Sequence, residues 1–361
     1  MHTKNKLCYI LPSYDVDTDT HFSYLYDFID RVSTEMNIFL IIENVKGKTH
    51  FKNTAQLRIK TKKGILGRLF EGIRFAEEAQ TNGYNDFYVH YSFVGALSAL
   101  FVARNGRGRV FYWNCGMPWL YKRNWFRERI FRFILKRVEL VTGTDSLKQD
   151  YSREYSLNQK NIHVMPNWID LTEFRKSHLE KKVAREKLEL PQGKIIVLFV
   201  HHLSKRKGAD MIFPTVRCSG DMYFVVVGDG PYKSALEKEI EGSKDLKGRI
   251  QIEGRKPQNQ IHTYLSASDI FFMPSEEEGF PHVLLEAMAS GVPYVASDVG
   301  SVKDISPGVE YQYVIKERKP ENFCMSLRKL KENPIDGNEL REHVKKYDVS
   351  IAVKKFIKLF A

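Results

Sequence analysis

The sequence predicts an α/β protein built from two doubly wound parallel-sheet domains, and three observations carry that expectation. The chain has 361 residues, more than one ordinary core needs and enough for two. Short apolar runs alternate with longer amphipathic segments, the pattern of parallel strands joined by helices. The pattern stops in a polar stretch after residue 165 and then restarts, so it describes two sheets.

In the first half, the strand-like runs are Leu7–Leu11, Ile38–Ile42, Phe87–His90, Val110–Trp113, Glu139–Thr142 and Ile162–Met165. In the second half they are Ile195–Val200, Tyr223–Val227, Ile250–Glu253, Ile270–Met273 and Tyr294–Ala296. The expected domains are 1–170 and 171–345, joined at Pro166-Asn-Trp-Ile-Asp170. The charged segment Glu173–Glu189 is expected to open the second domain as one helix. Residues 346–361 form an amphipathic helix predicted to pack back on the first domain, with Ile351, Phe356, Ile357 and Phe360 alternating with lysines.

Composition sets limits. No run of 18 apolar residues occurs, so no transmembrane helix is expected. The apolar run Cys8–Leu11 is too short for a signal peptide, which points to a cytoplasmic protein. Cys8, Cys115, Cys218 and Cys324 are scattered, with neither zinc-site nor disulfide-framework spacing, and reduced thiols are the simplest expectation. The net charge of +12 leaves nucleotide phosphates, an anionic membrane or nucleic acid as partners. Nucleic acid is set aside because no recognition motif is present. Asp15, Asp17 and Asp19 invite a calcium reading, but Thr20 and Tyr26 stand where that loop needs glycine and glutamate. Helix capping by Asp19 or Thr20 fits better, and no metal site is expected.

The most informative segment runs from Pro274 to Gly300. A buried strand ends in the loop Pro274-Ser-Glu-Glu-Glu-Gly-Phe-Pro281. A helix follows, closed by Gly291, and the next strand begins at Tyr294. Loops at the carboxyl ends of parallel strands bind ligands in such sheets, and the helix start offers free N–H groups to a phosphate. Glu278 and Glu286 stand with seven residues between them, and a carboxylate suits the paired hydroxyls of a sugar or ribose.

These residues, Pro274-Ser275, Glu278-Gly-Phe280, Glu286-Ala-Met-Ala289 and Gly291-Val-Pro293, resemble the signature of glycosyltransferase family 4, retaining enzymes of the GT-B fold. The resemblance implies two Rossmann-like domains facing each other across a cleft, a nucleotide-sugar donor on the second domain, an acceptor on the first, and no required metal. Glu278 would lie by the donor sugar and Glu286 on the donor ribose, with Gly279, Phe280 and Pro281 shaping the site through their backbone. In the basic loop after Ile195–Val200, Lys207 matches the family's phosphate lysine, Arg206 adds a second cation, and His202 stands where the family has arginine. Gly254 and Arg255 match the loop beside the nucleotide base, and Gly228-Asp-Gly-Pro231 matches a family turn.

The resemblance is thinner in the first domain. The family's glycine-rich loop is replaced by Pro12-Ser-Tyr-Asp15. His90 is the candidate catalytic histidine, and Asn114 or Cys115 occupies the place of a second one. Two segments, Arg58–Arg74 and Met117–Arg137, interleave basic residues with large apolar ones. They include Lys122, Arg123, Trp125, Phe126 and Arg129 in the second, and they suit an anionic membrane interface. The resulting expectation is a transferase taking a UDP- or GDP-linked sugar to a glycan or polyprenyl-linked acceptor at the inner face of a cytoplasmic membrane. The alternatives are a sugar-nucleotide epimerase on the same fold, a transferase acting on a soluble sugar or sugar phosphate, and a basic nucleic-acid-binding protein, which would leave Glu278 and Glu286 without a role.

Overall fold

The computed structural model describes residues 4–16, 18, 22–104, 106, 108–121, 124–177 and 179–361, with the backbone alone at residue 22 and at residues 175–177. Asp17, Asp19 and Thr20, with the metal and capping roles considered for them, lie outside these residues, as do Lys122 and Arg123 of the basic segment. Asp15 is described and pairs with Lys46 at 3.3 Å.

Residues Met1–Asn167 and Val349–Ala361 form one compact unit, and Trp168–Asp348 form the other. The divisions fall at 167/168 and 348/349, a few residues from the expected 170 and 345.

The first unit is built on the strands β1 (Lys6–Leu11), β2 (Tyr14–Asp15), β3 (Asn37–Ile42), β4 (Val45–Lys46), β5 (Gln56–Ile59), β6 (Asp86–His90), β7 (Val110–Trp113), β8 (Glu139–Thr142) and β9 (Ile162–Val164). Seven of them make a parallel sheet in the order β5-β3-β1-β6-β7-β8-β9, and β2 pairs with β4 apart from it. The helices are α1 (Phe22–Glu35), α2 (Ile65–Thr81), α3 (Phe93–Ala103), α4 (Trp125–Leu135) and α5 (Asp145–Tyr155). Alternation along β1 and β6 sends Cys8, Ile10, Phe87 and Val89 into the core beneath α2 to α5. Tyr9 and Tyr88 point to the other face.

The second unit holds α6 (Leu171–Ser177), α7 (Lys181–Lys187), β10 (Ile196–Val200), α8 (Ile212–Cys218), β11 (Tyr223–Val227), α9 (Lys233–Gly242), β12 (Ile250–Gly254), α10 (Gln258–Ala267), β13 (Ile270–Met273), α11 (His282–Ser290), β14 (Tyr294–Ser297), α12 (Val302–Ile305), β15 (Val314–Ile315), α13 (Pro320–Glu332) and α14 (Gly337–Val344). Its sheet is parallel, in the order β12-β11-β10-β13-β14-β15. The chain therefore builds outward from β10 in one direction and from β13 in the other. Such a reversal leaves a crevice at the carboxyl ends of the two central strands.

The last helix, α15 (Val349–Lys358), belongs to the first unit. Phe356 meets Phe28, Tyr9 and Tyr88 at ring centroid distances of 5.3, 6.2 and 4.8 Å. Its buried residues are Val349, Ala352, Val353 and Phe356, whereas Ile351, expected on the apolar face, is exposed.

Two expectations need correction. The single helix over Glu173–Glu189 is two short ones. The Leu179 N–H donates to Ser266 Oγ (3.3 Å), and Glu180 is extended at φ −60° and ψ 138°, so the first helix cannot run on. The cysteines are not all free thiols either. Cys218, ending α8, and Cys324, on α13, form a disulfide with Cα atoms 5.9 Å apart. Their separation of 106 residues gave no spacing signal. Cys8 and Cys115 are free and buried.

Candidate active site

In the second unit the switch point brings together the loop after β10, which runs from His201 to Gly208, and the loop after β13, from Pro274 to Pro281. Glycine makes their close approach possible. Gly208 has φ +86°, and a Cβ there would fall 2.4 Å from the Pro274 carbonyl oxygen. The Glu276 N–H donates to the Arg206 carbonyl at 2.9 Å, tying the loops together. Arg318 completes the clamp, donating through Nε to the Pro274 carbonyl at 2.7 Å while pairing with Asp210 and Glu276.

Glu278 stands at the centre and is 5% exposed. One oxygen, Oε1, accepts from three donors: His201 Nε2 at 3.0 Å, Lys207 Nζ at 2.8 Å and Ser275 Oγ at 2.8 Å. Burial alone would raise this carboxyl, but the hydrogen bonds from His201 and Lys207, with the charge of the lysine, outweigh it and hold it at about 2. Burial lowers His201 in turn, against the pull of Glu278. Its tautomer follows from its neighbours. The His202 N–H donates to His201 Nδ1 at 2.9 Å, so Nδ1 is the acceptor and Nε2 carries the proton given to Glu278. An ionised carboxylate, a neutral imidazole and an ammonium thus share the pocket. Lys207 also donates to the Glu277 carbonyl at 3.2 Å.

Glu286, on α11, is buried at 4% exposure. Its Oε1 accepts from Gln258 Nε2 at 2.7 Å, at the start of α10 just beyond Gly254 and Arg255. Gly254 itself, at φ +69°, accepts through its carbonyl from the Gly228 N–H at 2.8 Å, and Arg255 is exposed. Pro281 caps α11 and closes the Glu278 loop. Phe280 is buried with its ring 5.9 Å from that of Tyr347. Gly300 packs so tightly that a Cβ there would lie 1.7 Å from the Glu278 carbonyl oxygen, and the Ser301 N–H donates to the Gly279 carbonyl at 3.0 Å. Arg206 is exposed, with Glu277 at 3.7 Å.

His202 is exposed against Gly230 and does not reach Glu278. The neighbouring His201 does. His201 and Gln258 are the two partners that sequence reasoning missed. The paired histidines were a visible signal for the first, while the second had none.

In the first unit, His90 closes β6 and is buried, stacked on Trp113 at 4.1 Å with Nδ1 3.3 Å from the Tyr9 hydroxyl. Asn114 is buried too, and its Oδ1 accepts from the Gly116 N–H at 2.9 Å, closing a local turn. Tyr91, after His90, adopts φ +55°, a strained conformation for a bulky residue. All three sit at the carboxyl ends of β6 and β7.

Residues 180–348 match the family model described as glycosyl transferases group 1. The matched residues lie within the second unit. The chain is 31% identical over 173 residues to a Bacillus subtilis (strain 168) protein named for teichuronic acid biosynthesis, TuaC; the match covers 48% of this chain and 42% of that one. The chain spans about half the length of the curated relatives it matches. Among solved structures, sucrose-phosphate synthase from Thermosynechococcus elongatus matches with a TM-score of 0.77 at 18% identity, over 99% of this chain and 98% of that one. Anabaena HepE in complex with UDP and glucose matches with a TM-score of 0.78 at 14% identity, over 98% and 99%. The fold is GT-B, and Glu278, Glu286, His201, Lys207 and Gln258 all fall within the matched residues.

Proposed function

We propose that this protein is a retaining glycosyltransferase of family 4, moving a sugar from a nucleotide diphosphate, UDP- or GDP-linked, to a hydroxyl of a glycan or polyprenyl-linked acceptor. The observation that carries the reading is the ionised, triply hydrogen-bonded Glu278 at the switch point of the second unit, with Glu286 on the helix that follows it. Two buried carboxylates on adjoining elements suit the hydroxyls of a sugar and of a ribose. The teichuronic acid name of TuaC and the UDP and glucose bound to HepE support a polysaccharide product and a uridine donor.

Lys207 and the N–H groups opening α11 would take the charge that develops on the departing diphosphate. Cationic and backbone donors then do the work a metal does elsewhere, so activity should survive EDTA. His90 and Asn114, as side chains of the first unit, would border the acceptor.

The location proposed is the cytoplasmic face of a membrane. No helix among the described residues is long and apolar enough to cross one. The support for docking lies on α2 and α4, where Ile65, Leu66, Phe70 and Trp125 are each about 70% exposed among arginines.

The deciding experiment is donor binding and turnover by the wild type and Glu286→Ala across UDP-, GDP- and ADP-sugars. Glu286→Ala should lose at least about a hundredfold in turnover while keeping the wild-type melting curve. Near-wild-type turnover in the variant would remove the site, and conversion of donor with no acceptor would favour an epimerase.

A further inference from the structure

The first unit carries a groove walled by its own residues. It encloses about 790 Å³ between α2, α3 and α4. The α3 sequence FVGALSALFVA contains no charged residue. Ala96, Ala99 and Val102 turn its inner side to the core, while Leu97, Leu100 and Phe101 wall the groove. Leu69 of α2 and Phe133 of α4 face them. The groove reaches Val110 and Glu139, at the amino ends of β7 and β8. His90 and Asn114 lie at the opposite ends of the strands.

The charged lining is mostly cationic: Arg104, Arg109, Lys136 and Arg137 against Glu139. Arg104 and Arg137 lie with their guanidinium carbons 3.9 Å from the ring centroids of Phe101 and Phe133, and Lys136 joins them. Glu139 is the one acid among the described lining residues, and His163 Nε2 sits 2.9 Å from its carboxylate. An apolar trough edged by cations suits a ligand that is apolar along its length and negative at one end.

We propose that this groove takes an acyl chain of an anionic membrane phospholipid, with the headgroup phosphate held by Arg104, Lys136 and Arg137. The proposal rests on the membrane reading above and gives it a specific site. The helices that wall the groove, α2 and α4, are the same ones that carry Leu66, Phe70, Trp125 and Phe126 exposed. Apolar walls alone would accept a helix of a partner protein equally well. The cations at the edge favour the lipid.

Two measurements on the full chain test it: flotation with phosphatidylcholine vesicles, with and without phosphatidylglycerol, and the fluorescence of anthroyloxy-palmitate without vesicles. Three double variants are compared: Phe101→Asp with Phe133→Asp, Arg104→Glu with Arg137→Glu, and Leu66→Ser with Trp125→Ser. Phe101 and Phe133 are 41% and 45% exposed, so these changes leave the core intact, and melting curves check that. The wild type should float only with phosphatidylglycerol present and bind the palmitate saturably. Both groove variants should bind palmitate at least about tenfold more weakly and float less. The Leu66/Trp125 variant should float less but keep palmitate binding. If the wild type floats and the groove variants match it in both assays, the groove proposal fails and the membrane reading stands. Palmitate binding without flotation overturns the phospholipid as occupant, and failure of both assays with the wild type overturns the proposal together with the membrane reading.

Discussion

Burial pushes two glutamates of the second unit up alike, but only Glu278 has partners that reverse the shift, and each gives a pH test. Glu278 ionises at about 2 in the folded state against an ordinary 4.5, because His201 and Lys207 outweigh its burial. Its contribution to stability is therefore present above the unfolded value and is lost as pH falls from about 4.5 towards 2. Glu278→Gln should flatten that acid limb of a denaturation series and cut sugar transfer by about a hundredfold or more. Glu310 is fully buried, and burial pushes it up to about 8, with only the Tyr294 N–H at 3.3 Å in partial compensation. Between 4.5 and about 8 the unfolded chain has released this proton while the folded one retains it, so stability falls as pH rises through that window. Glu310→Gln should remove the slope, with a thermal midpoint above wild type at about pH 8 and close to it near pH 5. A variant whose pH profile parallels wild type would show that Glu310 ionises freely. Glu278 and Glu286 were legible from their spacing and the loop around them. Their partners were not, because His201 lies 77 positions from Glu278 and Gln258 lies 28 from Glu286, and only the fold brings such pairs together.

Among the elements, legibility followed hydrophobicity. Central strands such as β7, β11 and β13 were placed to the residue because continuous burial demands continuous apolar runs. β5, with the sequence QLRI at the sheet edge, and β15, only two residues long, were missed because an edge strand needs no such run. The α6–α7 break was hidden because the hydroxyl that takes the Leu179 N–H belongs to Ser266, on α10. Two elements carry predictions of their own. The Cys218–Cys324 bridge ties α8 to α13, so a reductant, or Cys218→Ser, should lower stability by about 2–4 kcal/mol in urea titrations of the oxidised protein. A reducing cytoplasm would keep the pair as thiols, and thiol trapping in freshly lysed cells reads that directly. On α15, Phe356→Ala removes a fully buried ring from an aromatic cluster with Phe28, Tyr9 and Tyr88, and should cost about 3–5 kcal/mol. A loss below about 1 kcal/mol would mean that the helix is dispensable to the first unit.

For the molecule as a whole, the two-sheet plan was readable because each sheet has its own set of apolar runs and a polar stretch parts them. The strand order was not readable: nothing in the runs says that β10 and β13, or β1 and β6, end up as neighbours. Yet the adjacency of β10 and β13 creates the switch point where the loops of Glu278 and Lys207 meet. The surface was legible in kind, since the sequence marked Trp125, Phe126 and the arginines around them as a basic apolar face. It did not show that α3, uncharged and set between α2 and α4, opens a groove there. One feature of the chain path bears on how the protein is made. The first unit is assembled from residues at both ends of the described chain, while the second is continuous from Trp168 to Asp348. On the ribosome the usual order is therefore inverted. The second unit has all its parts first, and the first must wait, with the Tyr9 and Tyr88 face bare, until the helix bearing Phe356 leaves the exit tunnel.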